Sequence, residues 1–197
     1  MAASLISVIG PPAAGKTTTA RWLAEAVDGR CIREDYAGNP FVAEAYLGRH
    51  DRALASQLYF LFSRVSQLAR TSWPKEGAAV SDYGFCQDAV YAARSLSEEQ
   101  LAIYRPLSAA AGEAVKPPDV MICLDGPEEL LLQRIDARGR SYERAFSREF
   151  LTDLRRAYAA IVAEADCPVL EVDVARVDLR EDRARGRLLD QVREALP

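Results

Sequence analysis

The stretch VIGPPAAGKTT, residues 8 to 18, limits what this chain can fold into more than any other. Gly10 to Thr17 fits the pattern GxxxxGK[ST], with an apolar run before it and a helical pattern after it. A strand, a glycine-bearing turn and a helix in that order are the context the pattern requires. Backbone N–H groups along Gly10, Ala13, Ala14, Gly15 and Thr18, with the helix N-terminus behind them, then face a phosphate. Lys16 adds a mobile positive charge and Thr17 a hydroxyl for Mg²⁺, so this segment is expected to hold a nucleoside triphosphate.

A second carboxylate for the metal should stand at the end of a neighbouring strand. AAVSD ends in Asp82 and MICLD ends in Asp125; Asp82 is favoured and Asp125 is its competitor.

Strand-length apolar runs lie at 5–9, 78–81, 119–124 and 169–174, with a further short strand around Cys31 and Ile32. Helical patterns separate them: 17–27, 51–71, a segment opened by Ser97, a segment with Pro127 in its first turn, 147–165 and 179–195. Leu54, Leu58, Leu61, Val65 and Leu68 form an apolar stripe on the second of these. Helical crossovers between apolar strands predict a three-layer α/β fold around a mostly parallel five-stranded sheet buried on both faces. The 197 residues call for one domain.

Against 29 acidic residues there are 25 basic ones, a formal charge of -4. That balance gives no footprint for polymeric nucleic acid or an anionic membrane. The start, MAASLISVIG, lacks a basic leader and its apolar run is too short for a membrane span, so a cytoplasmic protein is expected. Cys31, Cys86, Cys123 and Cys167 are scattered and read as buried thiols. His50 reads as solvent-facing.

A hydroxyl acceptor of a phosphoryl group needs a base, whereas a phosphate acceptor does not. Glu34, in CIREDYAGNPF, is the candidate base. Gln57 and Arg64 lie seven apart on the 51–71 helix, two turns along one face, and would project with Phe60 toward a flat heteroaromatic ligand. An exposed polar edge is the alternative for that pair. Arg134, Arg138, Arg140 and Arg144 cluster late in the chain, and Gly139 would be the hinge of a closing segment.

In order and spacing, GPPAAGKTT, E-D-Y-x-x-NPF (34–41), QLYFLFSR (57–64), SDYGFCQD with VYA (81–92) and RGRSYE (138–143) resemble the deoxyribonucleoside kinase family, particularly its bacterial purine deoxynucleoside kinases. The resemblance runs from about residue 5 to residue 173. It implies an ATP- and Mg²⁺-dependent transfer to the 5′-hydroxyl of a deoxynucleoside in nucleotide salvage, with Glu34 as base. It also implies that Gln57 and Asp88 bind the nucleobase beside Arg64. Tyr46 would meet the 3′-hydroxyl with Glu143 as its partner, and Arg134, Arg138 and Arg140 would close on the phosphates as a lid, about 137–146. A homodimer through helices beside the sheet is implied too.

Two positions depart from that family pattern. Tyr83 stands where many relatives carry arginine, and Gln87 where Asp-Tyr variants often carry lysine. Both changes are expected to remove positive charge near the reacting phosphate, with Arg33 as a compensating cation. Other acceptors that stay open are a nucleoside monophosphate or another small metabolite. A weakly active nucleotide-binding subunit with a heteromeric partner is the third reading.

Overall fold

The computed structural model describes residues 3–197; Met1 and Ala2, the start of the segment read for a leader, lie outside them. Five strands run in parallel: β1 (Ser4–Ile9), β2 (Arg30–Ile32), β3 (Ala78–Ser81), β4 (Val120–Asp125) and β5 (Val169–Asp173). Their order in the sheet is β2-β3-β1-β4-β5. The chain leaves β1 over α1 (Lys16–Ala26) toward β2 and leaves β3 in the opposite direction toward β4. The connections that follow adjacent strands β1 and β3 thus leave in opposite directions, which makes a crevice at their C-terminal ends, where open α/β sheets take ligands.

Alternation along the strands builds the layers. Ile6, Val8, Val80, Ile122 and Leu124 pack on one face against Leu23 of α1, Leu131 of α6 (Glu128–Arg138) and Leu188 of α8 (Asp182–Ala195). On the other face, Leu5 and Ala79 meet Leu68 of α3 (His50–Leu68), and Met121 and Cys123 meet Tyr158 of α7 (Arg148–Ala163). Each such buried aliphatic side chain contributes roughly 1.5–3 kcal/mol. Only the central strands are apolar on both faces. Edge strand β5 exposes Glu171 and Asp173 and buries only Val172 fully, and β2 buries only Ile32, which corrects the expectation of a sheet covered throughout.

Two helices escaped the sequence reading: α2 (Val42–Tyr46) and α4 (Gln87–Ser95). One is a single turn and the other mixes Gln, Asp and Arg into its pattern, so neither carries a long apolar stripe. The expected 51–71 helix stops at Leu68, where Ala69 turns extended to bridge Val115. Its buried face is also rotated from the expected stripe: Gln57, Phe60 and Arg64 are inside, while Leu54, Leu58 and Val65 are half-buried. Pro127 precedes α6 as its cap rather than entering its first turn. Ser97 caps α5 (Glu98–Ala114) with a reciprocal Gln100 contact. Of the four cysteines only Cys123 is buried; the others are half-buried and all are free thiols. His50 is exposed, as read.

Candidate active site

The loop after β1 must pass tightly under β4. Gly10 holds φ 135°, and a Cβ there would stand 2.1 Å from the Leu124 carbonyl oxygen, so position 10 admits only glycine. Ala13 takes a left-handed φ of 62° without being glycine, local strain of the kind concentrated at functional sites. Helix α1 then begins at Lys16 itself, presenting its unpaired N–H groups at the mouth of the loop. The Lys16 ammonium donates to the Gly10 and Pro11 carbonyls at 2.8 and 2.9 Å. Burial pushes its pKa down to about 8, against the opposing pull of Glu34 and Asp82.

Asp82 follows β3 and stands beside this loop. Its Oδ2 accepts from the Thr17 hydroxyl at 2.6 Å and its Oδ1 from the Glu34 backbone N–H at 2.7 Å. Burial raises its pKa, with both hydrogen bonds pulling the other way. Asp125, the competitor, is instead engaged by Arg155 of α7 through Nε at 2.8 Å and Nη2 at 2.9 Å, which ties the end of β4 to that helix.

Glu34 lies at the centre of a buried network. Arg64 donates to Glu34 Oε1 through Nε at 2.9 Å and also through Nη2, and its Nη1 reaches Asp88 Oδ1 at 2.6 Å. Burial opposes the guanidinium charge, and Glu34 and Asp88 more than offset that cost, so Arg64 is held above its ordinary pKa. Asp88 further accepts from the Tyr104 hydroxyl at 2.7 Å and the Ser108 hydroxyl at 2.6 Å, both from α5. Gln57 is buried beside them; its amide nitrogen lies 3.5 Å from Ser95 Oγ, while its Oε1 has no hydrogen-bond partner. The exposed-edge alternative for Gln57 and Arg64 is therefore excluded.

A cavity of about 1000 Å³ joins the loop to this network. Lys16, Thr17, Asp82 and Glu34 line it, and so do Tyr46, Arg134, Arg138, Arg140 and Glu143 from farther along the chain. Gln57, Arg64 and Asp88 are not on its wall; Tyr36, which packs edge-on against Phe60 at 5.2 Å, is. Arg138 and Arg140 grip Glu143, with Arg138 Nε at 2.9 Å and Arg140 Nη1 at 3.2 Å. Tyr46 stacks on Tyr142 at 5.8 Å, in the same turn as Glu143. Burial holds the hydroxyls of Tyr36 and Tyr46 well above their ordinary pKa. Arg134 lies 3.4 Å from the Val174 carbonyl oxygen. Gly139 ends α6 in the left-handed conformation at φ 70°.

The two departures sit differently from expectation. Tyr83 is fully buried against Leu5 and Leu68, its hydroxyl donating to Gln67 at 2.6 Å, and Gln87 is buried behind Glu34. Neither side chain lines the cavity, because the backbone after β3 turns both inward; Arg33, on the wall, does. Tyr104 and Ser108 were missed. Their i, i+4 spacing on a capped helix was the available signal.

A strand-loop-helix phosphate cradle at the crevice where the connections from two adjacent parallel strands part, with a carboxylate and a lysine at its mouth, defines a P-loop phosphotransferase. A family model described as deoxynucleoside kinase matches residues 6–197, and the chain belongs to that family. It is accordingly an ATP-dependent deoxynucleoside kinase. Among curated proteins it is similar to a deoxyguanosine kinase of Bacillus subtilis, 29% identical over 179 residues, covering 89% of this chain and 86% of that one. A deoxyadenosine/deoxycytidine kinase of the same organism is 27% identical over 201 residues, covering 96% and 91%. The fold matches a deoxyadenosine kinase from M. mycoides solved with bound dCTP, with TM-score 0.80 at 19% identity, covering 96% of this chain and 99% of that one.

Proposed function

We propose that this kinase moves the γ-phosphoryl group of ATP to the 5′-hydroxyl of a purine deoxynucleoside, for nucleotide salvage. The observation that carries the reading is the position of Glu34: the residue lines the same cavity as Lys16, its backbone is bonded to Asp82, and its side chain is tied to the buried Arg64–Asp88 network. On this reading Glu34 receives the proton as the 5′-oxygen bonds to the γ-phosphorus and the bond from that phosphorus to the β,γ-bridging oxygen breaks, leaving ADP. Lys16, Arg138 and Arg140 neutralise charge on the transferred oxygens, and Arg134 flanks the nucleotide.

Thr17 and Asp82 supply two hard oxygen donors side by side, a donor set that suits Mg²⁺ with phosphate and water completing its shell. When bound there, the ion would neutralise phosphate charge. Gln57 and Asp88 would read the base with Arg64 beside them, and the unpartnered Gln57 oxygen supports that role. Tyr46 and Glu143 share the cavity in which a 3′-hydroxyl would lie. The whole chain acts as one domain, with 137–146 as a lid turning about Gly139. The names of the two Bacillus relatives each include a purine deoxynucleoside, which supports a purine, and one also names deoxycytidine, so adenine, guanine and cytosine all stay open.

A cytoplasmic homodimer completes the reading. No helix among the described residues is long and apolar enough to cross a membrane. Phe62 of α3 and Ile103 and Leu107 of α5 are large exposed apolar side chains on helices beside the sheet. The test is ATP-dependent phosphorylation of the four natural deoxynucleosides by the purified protein, with dAMP as control acceptor and Lys16→Ala as the negative. Turnover of a purine nucleoside that is lost in the variant supports the reading. Turnover of dAMP alone would move the acceptor site to a phosphate pocket, and ATP binding without turnover would point to a heteromeric partner.

A further inference from the structure

Glu34 lies in the connection between β2 and α2, outside any regular element, so its carboxylate takes its orientation from tertiary contacts. Arg64 alone cannot supply that orientation. Its Nε and Nη2 converge on one oxygen, Oε1, which leaves the carboxylate plane free to turn about that point. The Gln87 amide nitrogen straddles both oxygens instead, 3.2 Å from Oε1 and 3.3 Å from Oε2. A donor placed between two carboxylate oxygens fixes the plane as well as the position.

The orientation of Gln87 is itself set. Its Oε1 accepts from the Tyr158 hydroxyl at 3.3 Å, and a flipped amide would turn that oxygen onto the Glu34 carboxylate. Gln87 is 1% exposed and Tyr158 2% exposed, so water does not compete for these contacts. Gln87 is absent from the cavity wall and stands behind Glu34. Tyr158 comes from α7, which starts a few residues after the segment bearing Arg138, Arg140 and Glu143.

We propose that Gln87, steadied by Tyr158, is a positioning residue that holds the plane of the Glu34 carboxylate toward the acceptor hydroxyl. This rests on Glu34 being the base. Proton transfer depends on a lone pair aimed along the O–H direction, so a carboxylate free to turn is a poorer base at unchanged substrate affinity. A neutral amide performs the task beside Arg64 without crowding a second cation into the same buried site.

The experiment is steady-state kinetics of the full-length enzyme on its best deoxynucleoside, with thermal unfolding of each variant, for Gln87→Met, Tyr158→Phe, Glu34→Gln and the double variant of positions 34 and 87. Gln87→Met keeps the length of the side chain and removes the donor; its kcat should fall about tenfold with the deoxynucleoside KM within about twofold. Tyr158→Phe removes one hydroxyl and should lower kcat about threefold in the same way. In the Glu34→Gln background, removing Gln87 should cause no further loss, because a residue acting through Glu34 has nothing left to position. The inference is overturned if kcat of a folded Gln87→Met stays within twofold of wild type while Glu34→Gln collapses, or if the losses at 34 and 87 multiply. Wild-type turnover by Glu34→Gln would remove the base assignment and this inference together. Should Gln87→Met not fold, the Tyr158→Phe result decides by the same criterion.

Discussion

The donor side and the acceptor side of the cavity are built on opposite plans. The donor side is one contiguous loop whose binding groups are mostly backbone N–H, with a lysine parked on its own carbonyls and arginines around an open space. The acceptor side draws Glu34, Arg64, Gln87 and Asp88 from three separate parts of the chain into a closed network in which one buried guanidinium serves two carboxylates. A cradle of backbone dipoles tolerates loss of a side chain structurally and suffers chemically. A buried charge network suffers both ways, because removing one member strands the others away from water.

The sharpest test of that contrast is Lys16→Ala. Turnover should fall by roughly 10²–10³, as for loss of one preorganised charge, while the unfolding midpoint in urea does not fall, because the buried ammonium is itself a cost to the fold. A matching loss of stability would break the comparison. Next in size is Arg64→Met, which should destabilise the fold by about 3–5 kcal/mol in denaturant titrations, since Glu34 and Asp88 are left buried without their cation.

A third prediction concerns pH on the donor side. With the Lys16 pKa lowered to about 8, the free enzyme loses that charge as pH rises through 8, so kcat/KM for ATP should decline above it. Lys16→Arg should move that alkaline limb out of range. The sign for stability is the reverse: the folded form binds this proton less tightly than the unfolded chain, so the penalty on the fold is relieved between about pH 8 and 10.5. The smallest expected effect is Ser97→Ala, which removes the cap of the helix that carries Tyr104 and Ser108 to Asp88. A loss of about 1 kcal/mol with turnover unchanged would mark that wall as held by the whole network rather than by one helix end. A loss of turnover larger than the loss of stability would show the acceptor side to be sensitive to small shifts of α5.

The amino-acid sequence determined by itself the features encoded in adjacent residues. The phosphate loop, the five strands and most of the helices follow from apolar runs, period and glycine placement, which are local properties with local physical causes. Glu34, Gln57 and Arg64 are also legible from residue type and position, and Asp88 through the resemblance to the deoxyribonucleoside kinase family. What they do to one another was not legible there. Only the tertiary structure decided that Arg64 spans Glu34 and Asp88, that Tyr83 and Gln87 turn inward rather than toward the phosphate, and that α5 lends two hydroxyls to Asp88. Those outcomes depend on where α3, α4, α5 and α7 pack around the end of β3, and on the cost of leaving any buried charge there without a partner.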